Sequence, residues 1–433
     1  MKLPKLYKSN LLLKASSLNF VLVAVKVIAG LVSSKITALL LGPSGLALLG
    51  NLKNFLQTSS SFTAEGYQNG IIKYTAEYNE DKQQLNKFVV SIFQLSLFLS
   101  VIIGLVVFLT SEYWAVSILK DKNFNYVFEV FAFSLPFFSF NLLYIYVLNG
   151  LQKFKKLVFI NSLLSLLNMA ILVWSVYYFQ LSGALIATIA SGVIIFFINL
   201  FFLKDDKFII EQLFDFRRFS FLEIKKLSGY LLMSFYSYII TAVSLLLIRN
   251  FIIEKLDLEA AGHWEAMNRI SSFYTMFFIS LTSLYLLPKL AKIKDYKSFK
   301  IEMTSFYKHI IPLLILVFVS IYLLRNVLLT LLLSKEFLAT APLFKWQLIG
   351  DFIAVICIAL VKQFHAKRLI RSYLLANGVL NILYIIFSIL LIDIYGLVGV
   401  VKAYFFSYLL YLILVVYLIF RHFKIQNNFE KVN

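Results

Sequence analysis

The chain has 433 residues, of which 61% are hydrophobic, with a mean hydropathy of +0.84 and a formal net charge of +19. A water-soluble protein of this size has too little polar surface to cover that much apolar content. The composition therefore excludes a soluble globular protein, and the single cysteine, Cys357, excludes an intrachain disulfide and a cysteine-built metal cluster.

Apolar runs of about 20 residues recur along the chain, each long enough to cross roughly 30 Å of hydrocarbon. The expected fold is an all-α polytopic membrane protein of about 12 transmembrane helices. The start, "MKLPKLYKSNLLLKASSLNF", is basic and then apolar, with no small-residue cleavage site, and reads as a retained signal anchor. The expected spans are 16–41, 46–76, 85–110, 126–149, 157–179 and 183–203, then 228–253, 258–287, 304–325, 340–364, 372–393 and 396–420. The second and eighth are the most polar and the least suited to a single straight helix.

Alternate loops differ in basic content. The N-terminus, 73–87, 152–156, 204–226, 289–300, 366–371 and the C-terminus together hold 27 Lys and Arg, whereas the opposite set holds 5. The positive-inside rule places both termini in the cytoplasm. Most of the basic excess is thus a topology signal and a contact with anionic lipid, and no nucleic-acid partner is called for. Residues 204–227 read as a cytoplasmic amphipathic linker between an N-terminal six-helix lobe, 1–203, and a C-terminal one, 228–433.

The two lobes repeat one pattern. "GALIA" at Gly183 echoes "GLVGV" at Gly396, "NMAILVW" at Asn168 echoes "NILYIIF" at Asn381, and "KNF" at Lys122 echoes "KEF" at Lys335, all at one offset. Gly45 and Asn51 pair with Gly262 and Asn268 at an offset four residues larger. Six spans per half make a parallel repeat about an axis along the membrane normal, a design in which substrate lies between the lobes and rocking alternates its access.

Nine basic residues fall inside or beside spans: Lys26, Lys35, Lys53, Arg249, Arg269, Lys308, Lys345, Lys362 and Lys402. Lys308, Lys345 and Lys362 lie near span ends, where a long side chain snorkels to the interface. A lysine or arginine at a span centre costs roughly 2.5–3.5 kcal/mol on insertion scales. Such residues must face an aqueous cavity, a carboxylate or an anionic ligand. Acids within spans are few: Glu65, Glu129, Glu265 and Asp351. Glu265 and Arg269 stand four apart and can pair, which leaves an excess of cations suited to an anionic substrate.

Helical spacing places Asn19, Lys26, Gly30, Ser33 and Thr37 on one face of the first span. Asn51, Asn54, Thr58, Ser61, Glu65 and Asn69 form a polar stripe on the second, with Lys53 beside it. The eighth span offers Glu265, Asn268, Arg269, Ser272 and Thr275. Lys35 lies about 180° from Lys26 on an ideal helix; either a bend at Gly30 brings the two together or Lys35 snorkels outward. The candidate substrate-binding residues are Lys26, Lys35, Asn51, Lys53, Arg249, Asn268 and Arg269. Arginine in particular suits phosphate through paired hydrogen bonds. Glu265 and Asp351 are coupling candidates, for a proton or sodium, against the alternative of ion pairing alone. No phosphate-binding loop, no H-E-x-x-H or other metal spacing among the four histidines, and no G-x-S-x-G occurs. An enzyme is therefore not expected, nor a metal or cofactor.

"LGPSGLALLGN" (Leu41–Asn51), "GIIKYTAEY" (Gly70–Tyr78), "YLLPKLAKI" (Tyr285–Ile293) and "WQLIGD" (Trp346–Asp351) resemble the O-antigen and lipid III flippases, the polysaccharide-transport branch of the MOP exporter superfamily. Within it the enterobacterial common antigen lipid III flippases are the most similar. The resemblance runs over the whole chain in order. It implies translocation of an undecaprenyl-pyrophosphate-linked oligosaccharide from the inner to the outer leaflet of a bacterial cytoplasmic (inner) membrane. The pyrophosphate would then meet Lys26, Lys53, Arg249 and Arg269. It also implies, as partners, the polymerase and chain-length proteins of polysaccharide assembly. The rival readings are a multidrug exporter of the same superfamily, a polymerase or ligase of polysaccharide assembly, and a scaffold. Coupling to protons or sodium and simple downhill flipping both stay open.

Overall fold

A computed structural model describes residues 5–202, 219–293 and 295–432. Of the linker expected at 204–227, positions up to 218 lie outside the described residues. Without water to solvate them, backbone N–H and C=O groups in lipid must pair within each segment. The described residues accordingly form helices joined by short turns. They run α1 (Lys5–Thr63), α2 (Gln68–Glu77), α3 (Lys82–Leu109), α4 (Ser111–Trp114), α5 (Asn125–Gly150), α6 (Phe154–Phe202) and α7 (Phe221–Lys255). Then follow α8 (Leu258–Leu281), α9 (Leu287–Lys292), α10 (Tyr296–Leu323), α11 (Arg325–Leu332), α12 (Phe344–Lys367), α13 (Ile370–Tyr395) and α14 (Leu397–Val432).

Nine helices among the described residues are long and apolar enough to span a bilayer. Two of them, α1 and α6, are each two helices joined at a non-helical residue, Gly42 (φ 62°) and Gln180 (φ 49°). Counting those as pairs and adding α8, whose charges lower its hydropathy, gives the twelve segments the sequence predicts. Gly42 supplies the positive φ that lets the chain reverse, and Pro43 fits the first turn of the next helix, where no amide hydrogen is needed. Gly30 introduces no break, because the first span is helical through it. The second and eighth spans are interrupted. α1 stops at Thr63, a 3₁₀ turn covers Glu65–Tyr67 and α2 resumes at Gln68, while α8 passes through a π-type turn, Thr282–Leu286, into α9.

The chain divides into two compact units, one of Met1–Leu41 with Leu48–Ala242, the other of Gly42–Ala47 with Val243–Asn433. In the first, small residues bring helices together. A Cβ on Gly104 would stand 2.7 Å from the Ala132 carbonyl, and one on Gly150 would stand 2.5 Å from Thr75. Hydroxyls and amides tie the same helices. Ser100 donates to Ser139 (3.0 Å), Ser139 to Thr63 (2.6 Å), Asn141 to the Gly192 carbonyl (2.7 Å) and Asn199 to Asn141 (2.9 Å). An aromatic core of Phe88, Tyr144 and Phe93 fills the space between. The start of α7 is fastened to this unit. The Ser220 amide donates to Ser91 (2.9 Å), Tyr74 to the Lys226 carbonyl (3.2 Å), and Lys226 Nζ to Glu223 (2.8 Å) and Tyr78 (2.9 Å). Hydrogen bonds to Glu223 and Tyr78 hold the Lys226 ammonium above the usual lysine pKa.

The second unit is built around α12, α13 and α14 with α8 and α10 alongside. Gly350 lets α12 approach α14, since a Cβ there would stand 2.5 Å from the Tyr404 ring. Gly396 (φ 56°) makes the one-residue reversal between α13 and α14. The outer faces of both units are apolar, as lipid requires: Leu109 is 73% exposed and Leu323 71%. Gly262 on α8 meets the main chain of the Gly42–Ala47 turn, where a Cβ would fall 2.0 Å from the Pro43 carbonyl oxygen. Backbone on backbone leaves nothing to rotate aside. Gly262→Ala is expected to destabilise the fold by about 1–3 kcal/mol, the usual range for overpacking. A lowered thermal unfolding midpoint in detergent checks this, and an unchanged midpoint would refute it.

Candidate functional site

Two buried polar clusters in the second unit contain four of the sequence-predicted residues. Arg249, near the end of α7, is 1% exposed. One of its terminal nitrogens donates to Glu265 of α8 in a short hydrogen bond, and its guanidinium lies 5.2 Å from the ring centroid of the buried Trp264. The other Glu265 oxygen accepts from Arg269 Nε at 2.9 Å. One carboxylate thus bridges two guanidiniums, and the formal charges of these three side chains sum to one positive charge. Arg269 Nη2 is buried with no acceptor among the described residues. The i, i+4 spacing foretells the Arg269 contact. Nothing in the sequence foretells Arg249, which comes from another helix.

The second cluster surrounds Asp351 of α12, which is fully buried. Its oxygens accept hydrogen bonds from Ser271 (2.8 Å), Tyr274 (2.5 Å), Tyr404 (2.9 Å) and Gln347 (3.2 and 3.3 Å). Among the described residues no cation forms an ion pair with it. Each donor is neutral and fixed by packing. The cage suits a group that is to change its charge or hold a small cation. Tyr274, Tyr404, Ser271 and Gln347 escape sequence reading because hydroxyls and amides are common in spans. Only Gln347, four residues before Asp351, carries a spacing signal.

The remaining candidates stand elsewhere. Asn268 is half-buried on α8 in the second unit. Lys26, Lys35, Asn51 and Lys53 belong to the first unit. Lys26 and Lys53 are exposed and Lys35 is half-buried. Asn51 is buried, and its amide donates to the Ile118 carbonyl at 2.9 Å, which ties α1 to the turn after α4. A polar feature that the coupling candidates leave out is Glu65, at the interruption between α1 and α2. Gln57 and Ser60 lie beside its carboxylate, Tyr146 lies near it, and its Oε2 is buried without a donor among the described residues. Its signal in the sequence is an acid in the most polar span.

This architecture defines the class: a multi-pass helical membrane protein of transporter fold. Among solved structures, the chain is similar to an inward-facing multidrug resistance MATE family transporter of the MOP superfamily (TM-score 0.73, 15% identity, covering 94% of this chain and 96% of that one). It is also similar to the lipid II flippase MurJ in an inward closed conformation (TM-score 0.70, 15% identity, 94% and 87%). The polysaccharide biosynthesis protein family model matches residues 12–294, and the chain belongs to that family. Over 394 residues it is 25% identical to the lipid III flippase of Escherichia coli (strain K12), covering 86% of this chain and 88% of that protein, with the same figures for the lipid III flippase of Shigella flexneri.

Removing the shared carboxylate leaves two buried guanidiniums facing each other. Glu265→Gln is expected to destabilise the protein by about 3–5 kcal/mol, as breaking a buried pair does. Arg269→Gln, which leaves the Arg249–Glu265 pair intact, should cost less. Thermal unfolding of the two variants checks the order, and a larger loss in Arg269→Gln would contradict the geometry.

Proposed function

We propose that the chain is a flippase that carries an undecaprenyl-pyrophosphate-linked oligosaccharide from the cytoplasmic to the periplasmic leaflet of a bacterial inner membrane by alternating access, with both termini cytoplasmic. The observation that carries this reading is the Arg249–Glu265–Arg269 cluster, a net positive charge held among membrane helices. Family membership and the likeness to lipid III flippases support it. Arg269, with a buried donor to spare, contacts the pyrophosphate, and Arg249 holds the cluster in place from behind. Lys26, Lys35 and Lys53 are the corresponding candidates of the first unit, and Asn51 and Asn268 the candidate polar contacts. A multidrug exporter shares the fold, but organic cations would be repelled by such a cluster.

The test is transport of prenyl-pyrophosphate-linked oligosaccharides in proteoliposomes, read as headgroup accessibility on the far leaflet with the amount of inserted protein controlled. A charge-assisted hydrogen bond contributes about 1.5–3 kcal/mol, so Arg269→Gln should slow flipping by roughly tenfold to a hundredfold. Lys26→Ala and Arg249→Ala should also reduce it. Export of organic cations with no glycolipid flipping would replace this reading by the exporter.

Asp351 is the proposed coupling site, loading a proton or sodium ion once per cycle, with Glu265 committed to its two arginines. Asp351→Asn keeps the shape of the cage and removes its charge. Flipping by the variant should lose its response to an imposed proton or sodium gradient while downhill movement persists. A gradient response equal to that of the wild type would remove Asp351 from the coupling scheme.

A further inference from the structure

At one end of the second unit, two lysines gather around a single indole. This end carries the close of α10 and the starts of α12 and α14. It is opposite the basic stretches 289–300 and 366–371, and by the positive-inside rule it meets the outer leaflet. Lys402, in the second turn of α14, lies 3.0 Å from the ring centroid of Tyr395 and 5.5 Å from that of Trp346. Lys345, the second residue of α12, lies 6.0 Å from the same Trp346 ring. Among the described residues neither lysine has a carboxylate in ion-pair range. The acid close by in sequence to Tyr395, Asp393, is taken by Lys255 at 3.1 Å. This cationic site is balanced by nothing in the described chain.

Lys345 also stands at the mouth of an apolar groove of about 470 Å³ between α10 and α12. Ile315, Phe318, Val319, Ile349 and Phe352 line it, with Tyr322 at the same end as Lys345. Ile315, Val319 and Ile349 are open to the outside, so the groove faces lipid. Tyr322, Trp346 and Tyr395 mark the headgroup level, where amphipathic aromatics collect. A soluble anion would need the lysines but not the groove, and a zwitterionic lipid the groove but not the lysines.

We propose that this face is a binding site for an anionic phospholipid of the outer leaflet, one acyl chain in the α10–α12 groove and its phosphate between Lys345 and Lys402 over Trp346. The site lies within one unit and is independent of the transported substrate. Its role is to hold the outer end of α12, the helix that carries Asp351, at a fixed depth in the leaflet.

Trp346 is the reporter. Full-length protein is reconstituted with phosphatidylglycerol or phosphatidylcholine brominated on the acyl chain, and the quenching that disappears in Trp346→Phe is followed against lipid mole fraction. Phosphatidylglycerol should quench at about thirtyfold lower mole fraction than phosphatidylcholine, from a favourable charge interaction at each of the two lysines. Lys345→Gln with Lys402→Gln should abolish that preference, and the paired Lys→Arg variants should retain it. Ile349→Trp in a Trp346→Phe background, read by the new indole, should keep the preference if the chain lies in the groove. Equal quenching by both lipids in the wild type, or an undiminished preference in the double Gln variant, would overturn the site. Recovery of fluorescence on adding a prenyl pyrophosphate, but not on adding inorganic pyrophosphate, would overturn it by assigning the groove to the transported lipid.

Discussion

Hydrocarbon offers no water to an unpaired amide or a bare charge, and this constraint shapes the whole chain. It makes nearly every described residue helical, and it turns each interruption into a place where something must stand in for water. At Gly42 the backbone of α8 comes up against the turn, with Gly262 permitting the contact. At the break between α1 and α2, Gln57, Ser60 and Glu65 supply polar atoms around the 3₁₀ turn. Irregular backbone at membrane depth is tolerated only where protein or a water-filled cavity surrounds it. The polar stripe that the second span carries is therefore the condition under which that span can break at all.

The second unit meets the same constraint with buried charge in two ways. Around Glu265 charge answers charge, and two arginines neutralise one carboxylate with a cation left over. Around Asp351 neutral donors answer charge, four side chains sharing a single carboxylate. The first arrangement is rigid, because losing the shared carboxylate leaves two buried guanidiniums without it. The second is adjustable, because tyrosine and serine hydroxyls can turn from donating to accepting when the carboxyl gains a proton. α8 contributes to both: Glu265 and Arg269 to one, Ser271 and Tyr274 to the other. Two residues along a helix is about 200° of rotation, so Arg269 and Ser271 project from opposite sides of α8. Whatever shifts α8 at the Asp351 cage moves Arg269 as well.

The features legible in the sequence follow from periodicity and local spacing. Twelve apolar segments, the gap between the first two spans at 42–45, the poor fit of the second and eighth spans to a straight helix and the Glu265–Arg269 pair all rest on residues close in the chain. α8 fails a plain hydropathy test because of Glu259, Glu265 and Arg269, and the internal repeat is what identifies it as a span. The features that stay hidden need two helices at once. Arg249 reaches Glu265 from α7, and Tyr404 reaches Asp351 from 53 residues away. Asn51 lies on the polar stripe, and the carbonyl of Ile118 that its amide meets belongs to another element. A helical wheel gives a side chain's direction and says nothing of what stands there. Of the two arrangements open to Lys35, a bend at Gly30 or an outward-snorkelling side chain, the first has no break in the helix to support it.

Fold likeness alone does not choose between an exporter of organic cations and a flippase of anionic lipids, since both kinds of protein share this architecture. The flippase proposed above rests instead on the sign of the internal charge. One net charge about 6 Å from a ligand's charge, at an effective dielectric of about 20, is an interaction on the order of 3 kcal/mol. That amount favours a phosphate oxygen and opposes an ammonium equally, so the two classes differ by roughly twice as much, more than a thousandfold in affinity. The bulk of the +19 lies in loops, where salt screens it and the membrane surface absorbs it. The proposed reading therefore turns on Arg249, Glu265 and Arg269, inside the second unit, and not on the lysines outside the membrane.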